Sequence, residues 1–283
     1  MIGCNYNNCD QRDILDGKGY LKDSTISNLD GFLTDSSKLY FPDKCFINDK
    51  WVNIAKDTEE KVDYSYFNNY FSLILRFFKV PVLFNYYLGG ESYRLLWLFN
   101  PYQSRPILIT IKKCGKDVLV NSKMLSENPD IFAKVYTHDN KVRYQKTKKI
   151  IKSFGPILAL NTNIDSLRKQ YPDADSIIPP ENNINLIVDT TIKLKIDDWQ
   201  NLFGLINLSG FWTMEPYIGM EGFDGMDIVF EGQTKDKYHF VKRVFPEDNL
   251  EKCCDYLIEI SKIKLIIENN KYFKTQSCRM PAE

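Results

Sequence analysis

The sequence predicts an α+β fold in which an antiparallel β-sheet packs against about three helices. Short segments of alternating apolar and polar residues at 91–99, 106–113 and 117–122 are joined by short loops, which is typical of an antiparallel meander. Two further such segments, 226–231 and 237–245, flank the turn-forming sequence GQTKD and predict a C-terminal hairpin. Elsewhere the apolar residues recur at the 3.6-residue spacing of helices.

The first predicted helix covers 66–78, where apolar residues recur at helical spacing until Pro81 stops the pattern. It belongs to the most apolar stretch of the chain, 70–88, which we interpret as a core helix followed by a strand. Arg76 and Lys79 interrupt this stretch, and it is shorter than the roughly 20 apolar residues that a membrane span requires.

The second predicted helix covers 197–208. Asp197 is suited to cap its N-terminus, with Gln200 three residues later as in a capping box, and Gly210 is suited to end it. One apolar stripe is predicted to face the core and consists of Trp199, Leu202, Phe203 and Ile206.

A strand and a third helix complete the predicted core. The segment 184–194 is rich in β-branched residues and predicts a strand. The segment 249–262 predicts a helix, in which Cys253 and Cys254 lie on the apolar face and serve as small core residues.

The predicted organisation is one compact domain with an irregular extension. Residues 1–60 are polar and rich in turn signals, and we expect them to form an irregular N-terminal segment that wraps on the core. Residues 61–283 are expected to form a single α+β domain. The seven cysteines have irregular spacing, and a Cys9–Cys45 disulfide is one option if the protein is exported.

Charge and composition disfavour several classes of function. The 37 basic and 37 acidic residues balance, so the chain has no overall field that would attract nucleic acid. The basic segment 141–152 is interpreted as a solvated face. With only His138 and His239, and no paired cysteine motif, we expect no metal and no cofactor.

The N-terminus offers two interpretations. Ile2-Gly3-Cys4, followed by a polar stretch, matches the end of a bacterial lipoprotein signal, in which case Cys4 carries lipid and the protein lies in the cell envelope. On the other interpretation Met1 is the natural start, Cys4 is an ordinary thiol and the protein is cytoplasmic.

The C-terminal hairpin carries the weak catalytic candidates Asp224, Glu231 and His239. With 233–236 as the loop, Glu231 and His239 fall on opposite faces of the hairpin because side chains alternate along a strand. This register therefore predicts no acid–base dyad, although a slip of one residue would reverse the conclusion.

The same register places Asp227 opposite Lys242 and predicts a cross-strand ion pair. The sequence GFDG, which contains Asp224, is interpreted as a turn before a strand. A phosphate-binding loop would instead lead from a strand into a helix.

Three motifs resemble those of a family of uncharacterised bacterial proteins, many of them exported or lipoproteins: ESYRLLWLF…P, DDWQNLF…GFW and DGMDIVFEG…YHFVKRVFP. The resemblance covers about residues 91–262. The family has tryptophan where this chain has Ile228 and Val244, so the chain would be a divergent member. The resemblance implies an envelope location and brings no catalytic residues.

Three hypotheses for function follow. The first is a non-catalytic binding protein, tethered to the envelope, that contacts another protein through exposed aromatic and charged loops. The second is an immunity-type protein that neutralises a toxin. The third is a hydrolase that uses Asp224, Glu231 and His239. Membrane contact is expected only through a lipid on Cys4.

Overall fold

A computed structural model describes residues 19–56, 58–98, 105–129, 184–218, 227–244 and 248–265. The fold is α+β, as predicted. The described strands and helices, in chain order, are β1 (Lys44–Ile47), β2 (Lys50–Asn53), α1 (Thr58–Phe78), β3 (Glu91–Leu98), β4 (Ile107–Cys114), β5 (Asp117–Leu125), β6 (Leu186–Leu194), α2 (Ile196–Ser209), β7 (Asp227–Gln233), β8 (Tyr238–Arg243) and α3 (Asp248–Ile260).

Six strands form one antiparallel sheet in the order β6-β5-β4-β3-β7-β8. The predicted meander and the predicted C-terminal hairpin are therefore joined in a single sheet, because β3 of the meander pairs with β7 of the hairpin. Strands β1 and β2 form a separate two-stranded hairpin. Its two-residue turn is Asn48–Asp49, where both residues have positive φ, as in a type I′ turn.

One face of the sheet packs against α1 and the N-terminal segment. Burial of large aromatic side chains dominates this layer, and each fully buried ring stabilises the fold by about 2 kcal/mol. The buried residues include Tyr20, Tyr40, Phe41, Phe67, Phe71, Phe78, Leu96, Leu98, Val229, Tyr238 and Phe240.

The opposite face of the sheet packs against α2 and α3. Cys253 and Cys254 are buried and free, so their predicted role as small core residues is confirmed. This layer includes Tyr93, Leu95, Ile109, Ile111, Val120, Trp199, Leu202, Ile206, Phe211, Phe230, Val241 and Leu257.

Helix α1 begins eight residues before the predicted start at 66. The predicted start followed the apolar stripe, which begins at Phe67, whereas the preceding turns are polar. Those turns are held by Tyr64, which is buried and donates a hydrogen bond to the carbonyl of Pro42. The backbone N–H of Lys56 donates to Glu60 Oε2 at 2.6 Å, a contact that favours an acidic residue at the helix start.

The segment 79–90 was predicted to contain a strand, and this prediction is wrong. Lys79 has a φ of 52° and ends α1, and the backbone that follows is irregular up to β3. Side chains of the sheet, described below, form hydrogen bonds with backbone groups of this segment in place of a neighbouring strand.

Two predictions for α2 also require correction. The helix begins at Ile196, so Asp197 lies inside the first turn and is not the cap. Instead, Asp198 Oδ2 accepts a hydrogen bond from the N–H of Lys195 at 3.1 Å. Phe203 is 39% exposed, because at this point the buried stripe runs through Leu202 and Ile206. Gly210 ends the helix with a φ of 70°, as predicted.

The described part of the N-terminal segment, 19–56, packs on the sheet and on α1. Cys45 is buried and its thiol is free, so the suggested Cys9–Cys45 disulfide is not formed. Burial raises the pKa of the Cys45 thiol, which keeps it protonated as a core residue. Among the described helices, none combines the length and the apolar character that crossing a membrane demands.

Gly232 provides a test of packing in the α2-facing layer. A Cβ atom at this position would lie 2.7 Å from Phe211 Cε1 and 3.0 Å from Tyr93 Cε1, so we expect Gly232→Ala to reduce the free energy of unfolding by about 1–3 kcal/mol. Gly204→Ala is the matched control, because its Cβ would meet no atom within 4 Å and alanine favours a helix interior. Urea denaturation measures both variants, and equal stabilities would contradict the packing described here.

Candidate functional site

The hairpin formed by β7 and β8 contains the candidate residues Glu231 and His239 and the predicted ion pair of Asp227 and Lys242. Its register pairs Glu231 with Phe240 and Gly232 with His239, two residues from the predicted register. A shift of two residues keeps every side chain on its predicted face. Glu231 and His239 therefore lie on opposite faces, as predicted, and the structure shows that Glu231 faces α1 and His239 faces α2.

Glu231 forms a buried ion pair with Arg94, its direct cross-strand neighbour on β3. Arg94 Nε and Nη2 both lie 2.6 Å from Glu231 Oε2, and both side chains are 1% exposed. The Tyr238 hydroxyl donates to Glu231 Oε1 at 2.9 Å. The remaining donor group of the guanidinium, Nη1, bonds the carbonyl of Pro81 at 2.8 Å.

The electrostatics of this pair fit a structural role. Burial raises the pKa of the Glu231 carboxyl, while the Arg94 charge and the Tyr238 hydroxyl act in the opposite direction. Burial raises the pKa of Tyr238 well above its usual value, so its hydroxyl stays protonated and remains a donor. Both carboxylate oxygens are thus occupied by protein donors.

Gln233 extends the polar network along the same face of β7. Its amide Nε2 donates to the carbonyls of Leu83 at 2.6 Å and Tyr86 at 2.8 Å, and its Oε1 accepts from the N–H of Leu88 at 3.3 Å. Arg94 and Gln233 thereby satisfy backbone groups of the irregular segment 79–90, which would otherwise be buried without partners.

Asp227 and Lys242 form the predicted ion pair, with 3.4 Å between Lys242 Nζ and Asp227 Oδ1. The two residues are diagonal neighbours and not directly opposite as predicted, because the observed register places Val229 opposite Lys242. Burial raises the pKa of Asp227 and lowers that of Lys242, and the mutual attraction opposes both shifts. Tyr217 lies against this end of the hairpin through a bridge to Lys242, and its buried hydroxyl has no hydrogen-bond partner among the described residues. The pair connects the start of β7 to the end of β8.

His239 lies in the α2-facing layer, fully buried, with its ring 5.1 Å from that of Phe211. Within the described part of the chain, neither ring nitrogen of His239 has a hydrogen-bond partner of good geometry. Burial lowers the His239 pKa to about 4, and the backbone of Met214 counteracts this only in part. The imidazole is therefore neutral at physiological pH and behaves as a core residue.

The three candidate catalytic residues do not form a common site in the described structure. Glu231 and His239 are on opposite faces of the hairpin, so no proton can pass directly between them. Asp224 lies outside the described residues. No group of three or more His, Cys, Asp or Glu side chains within the described ranges is arranged to hold a metal ion.

Sequence reasoning missed Arg94 as the ion-pair partner of Glu231 and the polar role of Gln233 within the hairpin. Two signals were available in the sequence. Arg94 stands at a position that alternation assigns to a buried face of β3, and Gln233 extends the same alternation at the end of β7. A buried arginine needs an acidic partner, but these signals do not identify which acidic residue provides it.

Among the aromatic residues on described strands, Trp51 of the β1–β2 hairpin is the most exposed. All four residues of β2 are exposed, with Trp51 at 40% and Val52 at 42%. The Trp51 ring is supported by Phe46, at 5.4 Å between ring centroids, and by Lys44 Nζ, at 5.2 Å from the ring centroid. The tryptophan is therefore held in place although it faces solvent.

Comparison with family models, with curated proteins and with solved structures finds no match for this chain. The resemblance to exported bacterial proteins therefore stays a hypothesis.

The buried ion pair gives a test of stability. Arg94→Met and Glu231→Gln are each expected to reduce the free energy of unfolding by about 3–5 kcal/mol, because each leaves an unpaired polar or charged group buried. The double variant should lose less than the sum of the two by about 0.5–3 kcal/mol. Urea denaturation of all four proteins measures the coupling.

Lys193→Met is the matched control for this cycle. It breaks the Lys193–Asp117 pair, whose side chains are 70% and 64% exposed, and should cost less than about 1 kcal/mol. Additive losses in the Arg94 and Glu231 cycle would show that the two side chains do not stabilise each other.

His239 predicts a defined dependence of stability on pH. Its folded pKa of about 4 lies below the usual 6.5, so the unfolded chain binds a proton first as pH falls. Stability from this residue is complete above pH 6.5 and declines down to pH 4, with a loss of about 2 kcal/mol between pH 7.5 and pH 5.

His239→Phe should remove that loss, so the difference in unfolding free energy between the two proteins should change by about 2 kcal/mol over this interval. Denaturant titrations at pH 7.5 and pH 5 measure it, and the comparison cancels the carboxyl groups that both proteins share. A constant difference would mean that the imidazole is not buried in its neutral form.

Proposed function

We propose that this protein is a non-catalytic binding protein that contacts another protein through the surface of the β1–β2 hairpin. The observation that carries the proposal is Trp51, an ordered aromatic side chain exposed on a strand that is itself fully exposed. Tryptophan is among the residues most enriched at the centres of protein interfaces.

The hairpin surface has the composition of a small interface. Trp51 and Val52 supply apolar area, and Lys44 and Lys50 supply charge beside it. Contact with Phe46 and Lys44 orders the indole before binding, which lowers the entropic cost of association. The type I′ turn at Asn48–Asp49 fixes the hairpin that carries these side chains.

The interior of the protein supports binding over catalysis. The buried ionisable groups of the β7–β8 hairpin are directed to one another: Glu231 is surrounded by protein donors, and Lys242 is directed to Asp227. A catalytic acid or base needs access to a substrate proton, and neither Glu231 nor His239 is exposed. Neutralisation of a toxin, as by an immunity protein, is one form of the binding proposed here.

Attachment to the cell envelope through a lipid on Cys4 is part of the proposal. Its support is the Ile2-Gly3-Cys4 sequence and the resemblance to exported bacterial proteins. Mass spectrometry of the chain isolated from its native host tests it, and a Cys4 residue without lipid in the membrane-associated fraction would refute it. In cell fractionation, Cys4→Ser should leave the membrane fraction, and Cys9→Ser is the control that should stay in it.

Trp51→Ala tests the binding surface. Purified wild-type and variant chains are used to capture proteins from the native host, and captured proteins are quantified by mass spectrometry. We expect one protein to be enriched by the wild type and lost with Trp51→Ala. The purified partner should then bind the variant at least roughly 30-fold more weakly, as for a central interface residue.

Phe203→Ala is the matched control, because Phe203 is an aromatic residue of similar exposure (39%) on α2. It should retain the partner with unchanged affinity. If both variants lose the same proteins, or if neither loses any, the β1–β2 hairpin is not the binding surface. Turnover of a substrate by a chain that captures no partner would refute the binding function as a whole.

A further inference from the structure

The two edges of the six-stranded sheet differ in how they are covered. The outer edge of β8 is bridged at both ends, by Gly19 at Lys237 and by Tyr217 at Lys242. At the opposite edge, β6 pairs with β5 on its inner side, and none of the residues in the described ranges pairs with its outer side. A nine-residue strand whose outer side pairs with no described residue offers a template for pairing with another strand.

The sequence of β6, LIVDTTIKL, is suited to pairing with a copy of itself. It contains no proline or glycine, and its two charged residues, Asp189 and Lys193, have opposite sign and lie two positions on either side of Thr191. Asp189 and Lys193 point to the same face of the sheet as Thr191, because all three positions are odd.

We propose that two copies of this chain associate through antiparallel pairing of β6 with β6 about a two-fold axis at Thr191. Because residues opposite each other then have numbers that sum to twice 191, Asp189 of each copy lies opposite Lys193 of the other. Two cross-strand ion pairs result, and one sheet of twelve strands forms across the two copies. On the other face, Val188 lies opposite Leu194 of the second copy.

Charge selects this register among the symmetric ones. A two-fold axis at Asp189 or at Lys193 places like charges opposite each other, and an axis at Thr190 leaves both charges opposite uncharged residues. An axis at Ile192 places Asp189 opposite Lys195, which lies beyond the end of β6, and leaves Lys193 opposite Thr191. The self-complementary positions of Asp189 and Lys193 therefore identify a second copy as the occupant that fits.

Both charged side chains are accessible for the new contacts. Asp189 is 48% exposed and lies 3.7 Å from Lys123 on β5, and Lys193 is 70% exposed and contacts Asp117 on β5 at 2.5 Å. These contacts within one chain are exposed and weak. A charge reversal at Asp189 or Lys193 changes these contacts within one chain as well as the proposed contacts between chains, so the test below separates the two effects.

The test is a charge swap, measured by analytical ultracentrifugation of the full chain between about 1 µM and about 1 mM, the range of weak to moderate interfaces. The wild type should show a concentration-dependent monomer–dimer equilibrium. Asp189→Lys and Lys193→Asp should each weaken dimerisation about tenfold or more, because each places like charges opposite each other twice per dimer. The double variant should restore dimerisation.

The double variant separates the proposal from an effect within one chain. It reverses both pairs with Lys123 and Asp117, so it should be the least stable monomer by urea denaturation while dimerising better than either single variant. A monomeric wild type throughout the concentration range, or a double variant that dimerises no better than the single ones, would overturn the proposal.

A crosslinking measurement tests the register independently. Thr191→Cys should form a disulfide-linked dimer under mild oxidation, because the two Thr191 positions face each other with Cβ atoms about 5 Å apart. Lys193→Cys is the control, since two copies of residue 193 would be separated by four positions along the strand, about 13 Å. The wild type gives the background from its own cysteines, and equal crosslinking of both variants would overturn the register.

Discussion

The Arg94–Glu231 ion pair is the constraint on which the arrangement of this fold depends. Two opposite charges that are 1% exposed are tolerable only beside each other, so strand β3, which carries Arg94, must pair with β7, which carries Glu231. This pairing joins the 91–125 meander to the C-terminal hairpin. The Tyr238 hydroxyl donates to the second oxygen of Glu231, so β8, which carries Tyr238, must also lie beside β7.

Polar side chains around this ion pair also hold the buried segment 79–90, which has no regular secondary structure. Arg94 and Gln233 bond backbone carbonyls of the segment 79–90, and the side chain of Asn85 in that segment bonds Asp23 and Ser27 of the N-terminal region. A buried irregular segment is stable only where its backbone groups have partners. The chain of bonds runs from the sheet to the N-terminal segment, so loss of the central pair should loosen both.

Sequence reasoning predicted the strands of the six-stranded sheet and the third helix well because their signals are local, whereas the β1–β2 hairpin lies in a segment predicted to be irregular. Alternation identified β3, β4 and β7, and the αL residue Gly210 marked the end of α2. The strand predicted after Pro81 failed because backbone carbonyls of 79–90 are bonded by side chains distant in sequence, such as Gln233, which no local pattern reveals. Fold class depends on patterns, whereas irregular buried segments depend on tertiary partners.

For Glu231 and His239, the prediction that they lie on opposite faces depended only on whether the register was displaced by an even or an odd number of residues. The register of β7 and β8 was displaced by two residues, yet Glu231 and His239 stayed on opposite faces, since only an odd displacement exchanges the faces. What sequence alone did not reveal was Arg94 as the partner of Glu231, because pairing between β3 and β7 joins residues 137 positions apart. The exposure of Trp51 was equally inaccessible, since apolar residues of a hairpin are buried in most folds.

The order of strands also determines how the two proposed contact surfaces, the β1–β2 hairpin and the edge of β6, are placed relative to each other. The β1–β2 hairpin packs beside β8, where Cys45 shares a buried cluster with Tyr238 and Phe240, and β6 forms the other end of the sheet. Five strand spacings of about 4.8 Å separate β6 from β8, so a contact at one end leaves the other about 24 Å away and free. Pairing of β6 would thus place the two Trp51 surfaces of a dimer at its opposite ends. Such a dimer would engage clustered partners, such as those in a membrane, with an avidity that neither chain has alone.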